Sequence, residues 1–481
     1  MDNIIGRTRE RKQLESLYQS KQAEFVVVYG RRRVGKTYLV REHFAGRFSF
    51  AHTALSPFEL QKDKKEYLLQ QQLSAFGESL REYGDYHQES PKDWFQAFLW
   101  LKEMLQRQSK RRRLLVFIDE LPWMDTPRSG FIAAFEHFWN GWGAGQHRLM
   151  LVVCGSAASW VNDHLLNNTG GLYGRTTREI HLSPFTLSES EQYFVSRGIV
   201  MDHYDLLQCH MILGGIPYYM SYFDKGKSLS QNIDQLFFSK GSKLQTEFER
   251  LFKSLFVDSE KYISIVKFLG KRREGYTRKE IVEATELSSG GGLTSILQSL
   301  EASDFIVKYI PFYGTARDTH YRLTDLFTLF YLYFIESRKA LNATFWQDNQ
   351  HSPSLHAWRG LAFEEVCYLH QDNIKRALGI SGVQCEVLPW RCKDKDDHTQ
   401  IDMIIDRADR VVNVCEIKFS TGPFLIDKAY DADLRRKIQS LLIHTKMKKN
   451  PHLTFITTYG LKQNAYSGHV QSVVGMDELF I

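Results

Sequence analysis

The sequence predicts an α/β protein with a parallel-sheet N-terminal part and helical lid, a winged-helix middle module and an α+β C-terminal domain. Three observations carry this reading. Up to about Pro217, short apolar runs alternate with helical segments, the pattern of a parallel sheet covered on both faces. From about Tyr218 to Asn342 the periodicity is mostly helical, and from about Trp346 to Ile481 strands and helices mix again. At roughly 150 residues per domain, the 481-residue length predicts about three domains. Boundaries are expected at 1–185, 186–257, 258–340 and 341–481.

The N-terminal strands are Phe25–Tyr29, Leu114–Ile118 and Leu149–Val153, each nearly all apolar. In the middle region, Tyr262–Leu269 has helical spacing and Thr277 is placed to cap a helix through Val282. A third helix covers about Gly292–Glu301, and Phe305–Tyr309 alternates like a strand. Three helices followed by a hairpin make a winged helix. In the C-terminal part a helix is expected around Leu361–Val366, with strands at Ile401–Ile405 and Val411–Lys418.

Composition narrows the function classes. Hydrophobic residues at 43% and charged residues at 25% exclude a mainly disordered chain. A net charge of +6 permits a local nucleic-acid face without demanding one. The apolar run Leu326–Ile335 is far shorter than the ~20 residues that span a bilayer, so no membrane partner is expected. The start Met1–Arg7 lacks the apolar core of an export signal, and the six scattered cysteines form no C-x-x-C pair. Both features fit a cytoplasmic protein with reduced thiols, without disulfides or zinc ligands.

Gly30-Arg31-Arg32-Arg33-Val34-Gly35-Lys36-Thr37 fits G-x-x-x-x-G-K-[ST], after a strand run and before the helical Tyr38–Glu42. Its glycines let successive N–H groups converge on phosphate oxygens, and the helix adds its positive N-terminal end. Lys36 would reach the β- and γ-phosphates, and Thr37 would ligate Mg²⁺. Leu114–Ile118 runs into Asp119-Glu120, the Walker B pattern, with Asp119 on the Mg²⁺ and Glu120 on the attacking water. Arg31, Arg32 and Arg33, taken singly, read as solvated.

In these motifs the chain resembles AAA+-like P-loop ATPases of the STAND branch, specifically the prokaryotic archaeal-type ATPase family. The resemblance implies ATP or ADP as the bound nucleotide, with Mg²⁺. Ile5-Gly6-Arg7 resembles the family's adenine-side loop, and Val34 and Tyr38 fall within its nucleotide site. Ser156, in Cys154-Gly155-Ser156, matches the sensor position. Arg175 and Arg178 match the arginine segment, in which one would act as a finger in cis or from a neighbouring subunit of a homo-oligomer. Gly214-Gly215-Ile216-Pro217 is similar to a lid motif that brings Pro217 to the nucleotide.

The expected third helix of the winged module carries Thr294, Ser295, Gln298 and Ser299 but no Arg or Lys. Positive charge sits instead at Lys267, Lys271, Arg272, Arg273 and Arg278. A DNA-reading helix without basic residues is weak in phosphate neutralisation, so an interdomain lever competes with DNA contact. In the C-terminal part, a turn centred on Asp409 sets Asp402 opposite Glu416, ~5 Å apart on one face, and strand alternation adds Lys418. Two carboxylates and a lysine make a divalent-metal site with a positioned water. This D…E-x-K set resembles the PD-(D/E)xK nuclease superfamily and its restriction-endonuclease-like fold. The resemblance implies a second Mg²⁺ or Mn²⁺ and DNA as substrate. Glu364 would complete the metal ligands, with Glu365 in reserve and Gln384 and Lys437 accessory. No proline precedes Asp402, and a domain that has lost catalysis is the competing reading. For the whole chain, an ATPase competes with a nucleotide-gated switch of negligible turnover.

Overall fold

The computed structural model describes residues 4–481 apart from 57–64, 109–110, 167–169, 257, 337–341, 393 and 395. Met1–Asn3 of the expected signal-free start, and the expected boundaries at 257 and 340, lie outside the described residues. The chain divides into two compact units. One comprises Met1–Pro184, Leu251–Val257 and Gln298–Asp304; the other comprises Phe185–Arg250, Asp258–Leu297 and Phe305–Ile481.

The first unit is built on five parallel strands: β1 (Glu24–Tyr29), β2 (Phe50–Thr53), β3 (Leu114–Asp119), β4 (Leu149–Gly155) and β5 (Arg178–His181). Their order is β2-β3-β4-β1-β5, and every pairing is parallel. The central strands β3 and β4 are buried along their full length, their apolar runs broken only where β3 ends in Asp119. Helices Trp94–Arg107 and Phe131–Gly141 cover one face through an aromatic layer that includes Trp94, Phe98, Phe131 and Phe135. Because β4 lies between β1 and β3, the loops after all three strands open side by side at the C-terminal edge, where α/β ligands bind.

In the second unit, helices Leu187–Ser196 and His203–Leu213 follow one another, the first opened by a Thr186/Glu189 capping box. Helices Ser259–Leu269 and Arg278–Thr285 flank β6 (Tyr276–Thr277). The helix Gly291–Ala302 precedes a hairpin of β7 (Ile306–Tyr309) and β8 (His320–Leu323), and the small antiparallel sheet runs β6-β8-β7. The C-terminal sheet contains β9 (Cys385–Arg391), β10 (Gln400–Arg407), β11 (Val411–Lys418), β12 (Asn450–Thr457) and β13 (Ser472–Val474), in the order β13-β12-β11-β10-β9. It is mixed: β9, β10 and β11 are antiparallel, whereas β12 and β13 join in parallel. Helix Pro353–Leu369 packs on β11, and helix Lys428–Thr445 carries the chain from β11 back to β12, the crossover that a parallel pair needs. All six cysteines are unpaired. Among the described residues, no helix is long and apolar enough to cross a membrane.

Candidate functional site

β1 delivers the loop 30–35 to the C-terminal edge of the sheet. Gly30 has φ 138°, and a Cβ there would lie 2.4 Å from the Leu182 carbonyl oxygen, so the close approach of β5's exit excludes any side chain. Gly35 turns the chain into helix Lys36–His43 at φ 94°. Lys36 is buried, and its Nζ donates to the carbonyls of Gly30 at 2.9 Å and Arg31 at 3.0 Å. Burial lowers its pKa, while Glu120, Cys154 and Asp119 pull the other way. An ammonium already taken out of water and ringed by the loop interacts strongly with an entering phosphate.

The Thr37 hydroxyl donates to Asp119 Oδ2 at 2.9 Å, joining the two expected Mg²⁺ residues. Burial, with Glu120 adjacent, raises the Asp119 pKa from 3.8 to about 6. The residues present fit a hard cation: a buried carboxylate held by a hydroxyl, beside a lysine. Glu120 follows in the left-handed region at φ 50°, which no sequence signal foretells. Its carboxylate accepts the Ser156 hydroxyl at 2.6 Å and the Ser156 N–H at 3.1 Å. The expected water-activating group and the expected sensor are therefore hydrogen-bonded to each other, across adjacent strand ends.

The N-terminal loop reaches the same place. Gly6 and Arg7 both have positive φ, and buried Arg7 donates from Nη2 to the Val34 carbonyl at 3.3 Å. The solvated reading of the arginine run is overturned at Arg31, which is 1% exposed; the tight loop folds its side chain inward. Arg32 instead lies over the Trp123 ring at 5.6 Å, and Tyr38 is half exposed on the following helix. Arg175 and Arg178 are exposed. Register sets Arg178 opposite Val26 and His181 opposite Tyr29, so Arg178 lies roughly 10 Å down the strand from the loop edge. His181 was missed by sequence reasoning. Its ring packs at a tilt against Tyr29, centroids 5.0 Å apart, and it pairs with Asp304 at 3.2 Å, which raises its pKa. In the second unit, Gly215 accepts the Phe185 N–H at 2.8 Å, and Pro217 opens the helix Pro217–Met220.

The C-terminal carboxylates form a second cluster. Met403 pairs with Cys415, the register that a turn centred on Asp409 requires, and Asp402 Oδ2 accepts the Ile417 N–H at 3.0 Å. Glu416 is buried and meets Lys418 Nζ at 2.8 Å, Lys437 Nζ at 3.0 Å and the Tyr430 hydroxyl. Burial pushes its pKa up, but the two lysines outweigh burial and hold it below the ordinary value. Glu364 projects from helix Pro353–Leu369 and pairs with Arg273, which also lies 3.6 Å from Asp402. Glu365 pairs with Arg322 at 3.2 Å. Asp402, Glu364 and Glu416 are all buried, but among the described residues they are not a set whose ligand atoms all lie within 4.8 Å of one another. Gln384 precedes β9 at the end where Cys385 pairs with Arg407, whereas Gln400, near Asp402, pairs with Arg391 at the other. The structure therefore does not bring Gln384 to the cluster.

The basic residues of the middle module are also engaged. Arg272 pairs with Glu280 at 2.9 Å, Arg278 donates to the Ser289 and Gly290 carbonyls, and Lys267 pairs with Glu336. Cys392, Asp397 and His444 place their ligand atoms within 4.8 Å of one another, a grouping absent from the sequence reading because its members lie far apart in the chain. Asp397 there already accepts from Thr399 and Ser440.

The strand order, the glycine loop and the Thr37–Asp119 pair together make a P-loop nucleotide-site arrangement on a parallel sheet. Residues 4–223 match a family model described as an ATPase domain predominantly from Archaea. An uncharacterized protein of Methanocaldococcus jannaschii is 24% identical over 372 residues, 76% of each chain. Among solved structures, the chain is similar to a Walker-type ATPase of Pyrococcus abyssi, at TM-score 0.47 and 18% identity, covering 69% of this chain and 96% of that one. It is also similar to the Aeropyrum pernix ORC2 protein, at TM-score 0.38 and 14% identity, covering 69% and 95%.

Proposed function

We propose that the protein binds ATP at the loop 30–37 and hydrolyses its γ-phosphate, and that the nucleotide held governs how its remaining modules are presented. The observation that carries this is Lys36: a buried ammonium ringed by loop carbonyls, beside the Thr37–Asp119 hydrogen bond. Lys36 exchanges the Gly30 and Arg31 carbonyls for phosphate oxygens. Thr37 and Asp119 hold Mg²⁺, which supplies charge neutralisation on the phosphates. Glu120 orients the water once released from Ser156, Arg7 props the loop through Val34, and Arg175 or Arg178 acts from a neighbouring copy. Lys36→Ala should abolish the calorimetric signal for ATP; an unchanged Kd rejects the site.

The Ser156–Glu120 pair favours a second reading, a switch that holds nucleotide with negligible turnover. Protein that retains ADP and releases no phosphate over hours supports the switch; steady phosphate release supports the ATPase.

In the C-terminal domain, Asp402, Glu416 and Glu364 bind a divalent cation and Lys418 positions a water, with DNA as the candidate substrate. The D…E-x-K hairpin and its buried carboxylates support this. Mn²⁺-dependent plasmid nicking that disappears in Asp402→Asn and Lys418→Ala supports cleavage; its absence from the parent protein leaves a binding or assembly domain.

A further inference from the structure

We infer that Arg273 gates the C-terminal carboxylate centre: its guanidinium holds Glu364 and Asp402 against a divalent cation until the turn that carries it withdraws. The inference rests on reading that centre as a cation site. Arg273 comes from the turn between helix Ser259–Leu269 and β6, yet it contacts Glu364 and approaches Asp402 Oδ1 to 3.6 Å. The two carboxylates are 11% exposed, and the Arg273 side chain against them is 23% exposed. Glu416 is compensated separately by Lys418 and Lys437, so the charge competing for Glu364 and Asp402 is the guanidinium. A divalent ion on those oxygens and a fixed positive charge within ~4 Å repel each other strongly in a partly buried site. The gate therefore opens by movement of the turn that carries Arg273.

Two further features make movement feasible. The turn is docked by discrete polar contacts, Glu274 to Arg391 at 2.6 Å and the Tyr309 hydroxyl to the Glu274 carbonyl, with Arg322 on Glu365 beside them. A cavity of about 350 Å³ adjoins Arg273, lined in part by Tyr309, Tyr368, Trp390 and Asp402. The cavity gives the guanidinium room to leave the carboxylates as the turn loosens.

The test is Mn²⁺ calorimetry on the full-length, nucleotide-free protein. Arg273→Gln should bind Mn²⁺ about ten-fold more tightly than the parent, equivalent to ~1.4 kcal/mol, and adding Asp402→Asn should abolish that gain. Equal Kd values for parent and Arg273→Gln, both lost with Asp402→Asn, overturn the gate and leave the cation site standing. No Asp402-dependent binding in any variant overturns both. Amide exchange of the parent gives a second readout that requires no substitution: saturating Mn²⁺ should accelerate exchange at 270–276 several-fold, and unchanged protection there refutes the gate.

Discussion

Replacing Asp119 by Asn should make the nucleotide-free protein more stable while removing its Mg²⁺ response. Burial, with Glu120 as neighbour, lifts the Asp119 carboxyl from 3.8 to about 6. Between those values the folded chain holds a proton that the unfolded chain has released, so stability falls as pH rises through the window and stays low above it. A displacement of this size corresponds to ~3 kcal/mol above pH 6. Asp119 accepts two hydrogen bonds, from Thr37 at 2.9 Å and from the Glu120 N–H at 3.1 Å. An amide oxygen in the same place keeps one of them, and losing the other costs ~1 kcal/mol. Asp119→Asn should therefore gain ~2 kcal/mol at pH 7.5, read as a higher urea midpoint by tryptophan fluorescence. The difference between variant and parent should shrink as the pH is lowered from 7 to 4. In ATP titrations, Mg²⁺ should strengthen binding to the parent and leave the variant unaffected. A variant less stable than its parent at pH 7.5, or a difference that does not change with pH, refutes the account of a strained, desolvated carboxylate.

Gly30→Ala sets a Cβ 2.4 Å from the Leu182 carbonyl oxygen at φ 138°. It should cost ~2–5 kcal/mol and abolish ATP binding, measured by thermal shift and calorimetry on the same sample. Asp234 is a buried carboxylate that accepts the N–H groups of Trp346 at 2.7 Å and Gln347 at 3.1 Å, and the Gln347 amide at 3.0 Å. Asp234→Ala orphans these donors and should lower stability in urea by ~3 kcal/mol, with ATP affinity unchanged.

The three inner strands β1, β3 and β4 were legible because strands buried on both faces must be apolar almost throughout. β2 and β5 were not. Phe50–Thr53 ends in His52 and Thr53, and in Arg178–His181 only Ile180 is buried; both strands sit at sheet edges, where the hydrophobic signal weakens. The phosphate loop and Thr277 were readable since a turn and a capping box are local chemistry, and Thr277 does close one with Glu280. The carboxylate register at Met403 and Cys415 followed from one short turn. What escaped was long-range pairing. Arg273, named only as part of the middle module's positive charge, turns onto acids far along the chain, and no window of sequence contains both partners. Arg31 escaped for a related reason, because inside a wrapped loop a charged side chain is buried by backbone that its own composition does not reveal.

The makeup of the first unit bears on synthesis. Its members Leu251–Val257 and Gln298–Asp304 are emitted long after Pro184, and Asp304 supplies the partner of His181 beside the phosphate loop. Domains that fold in order on the ribosome do so as contiguous stretches; here the N-terminal sheet must wait for most of the middle module to be translated before its last side chains arrive. Truncation after Pro184 therefore yields an unfinished body, not a minimal enzyme.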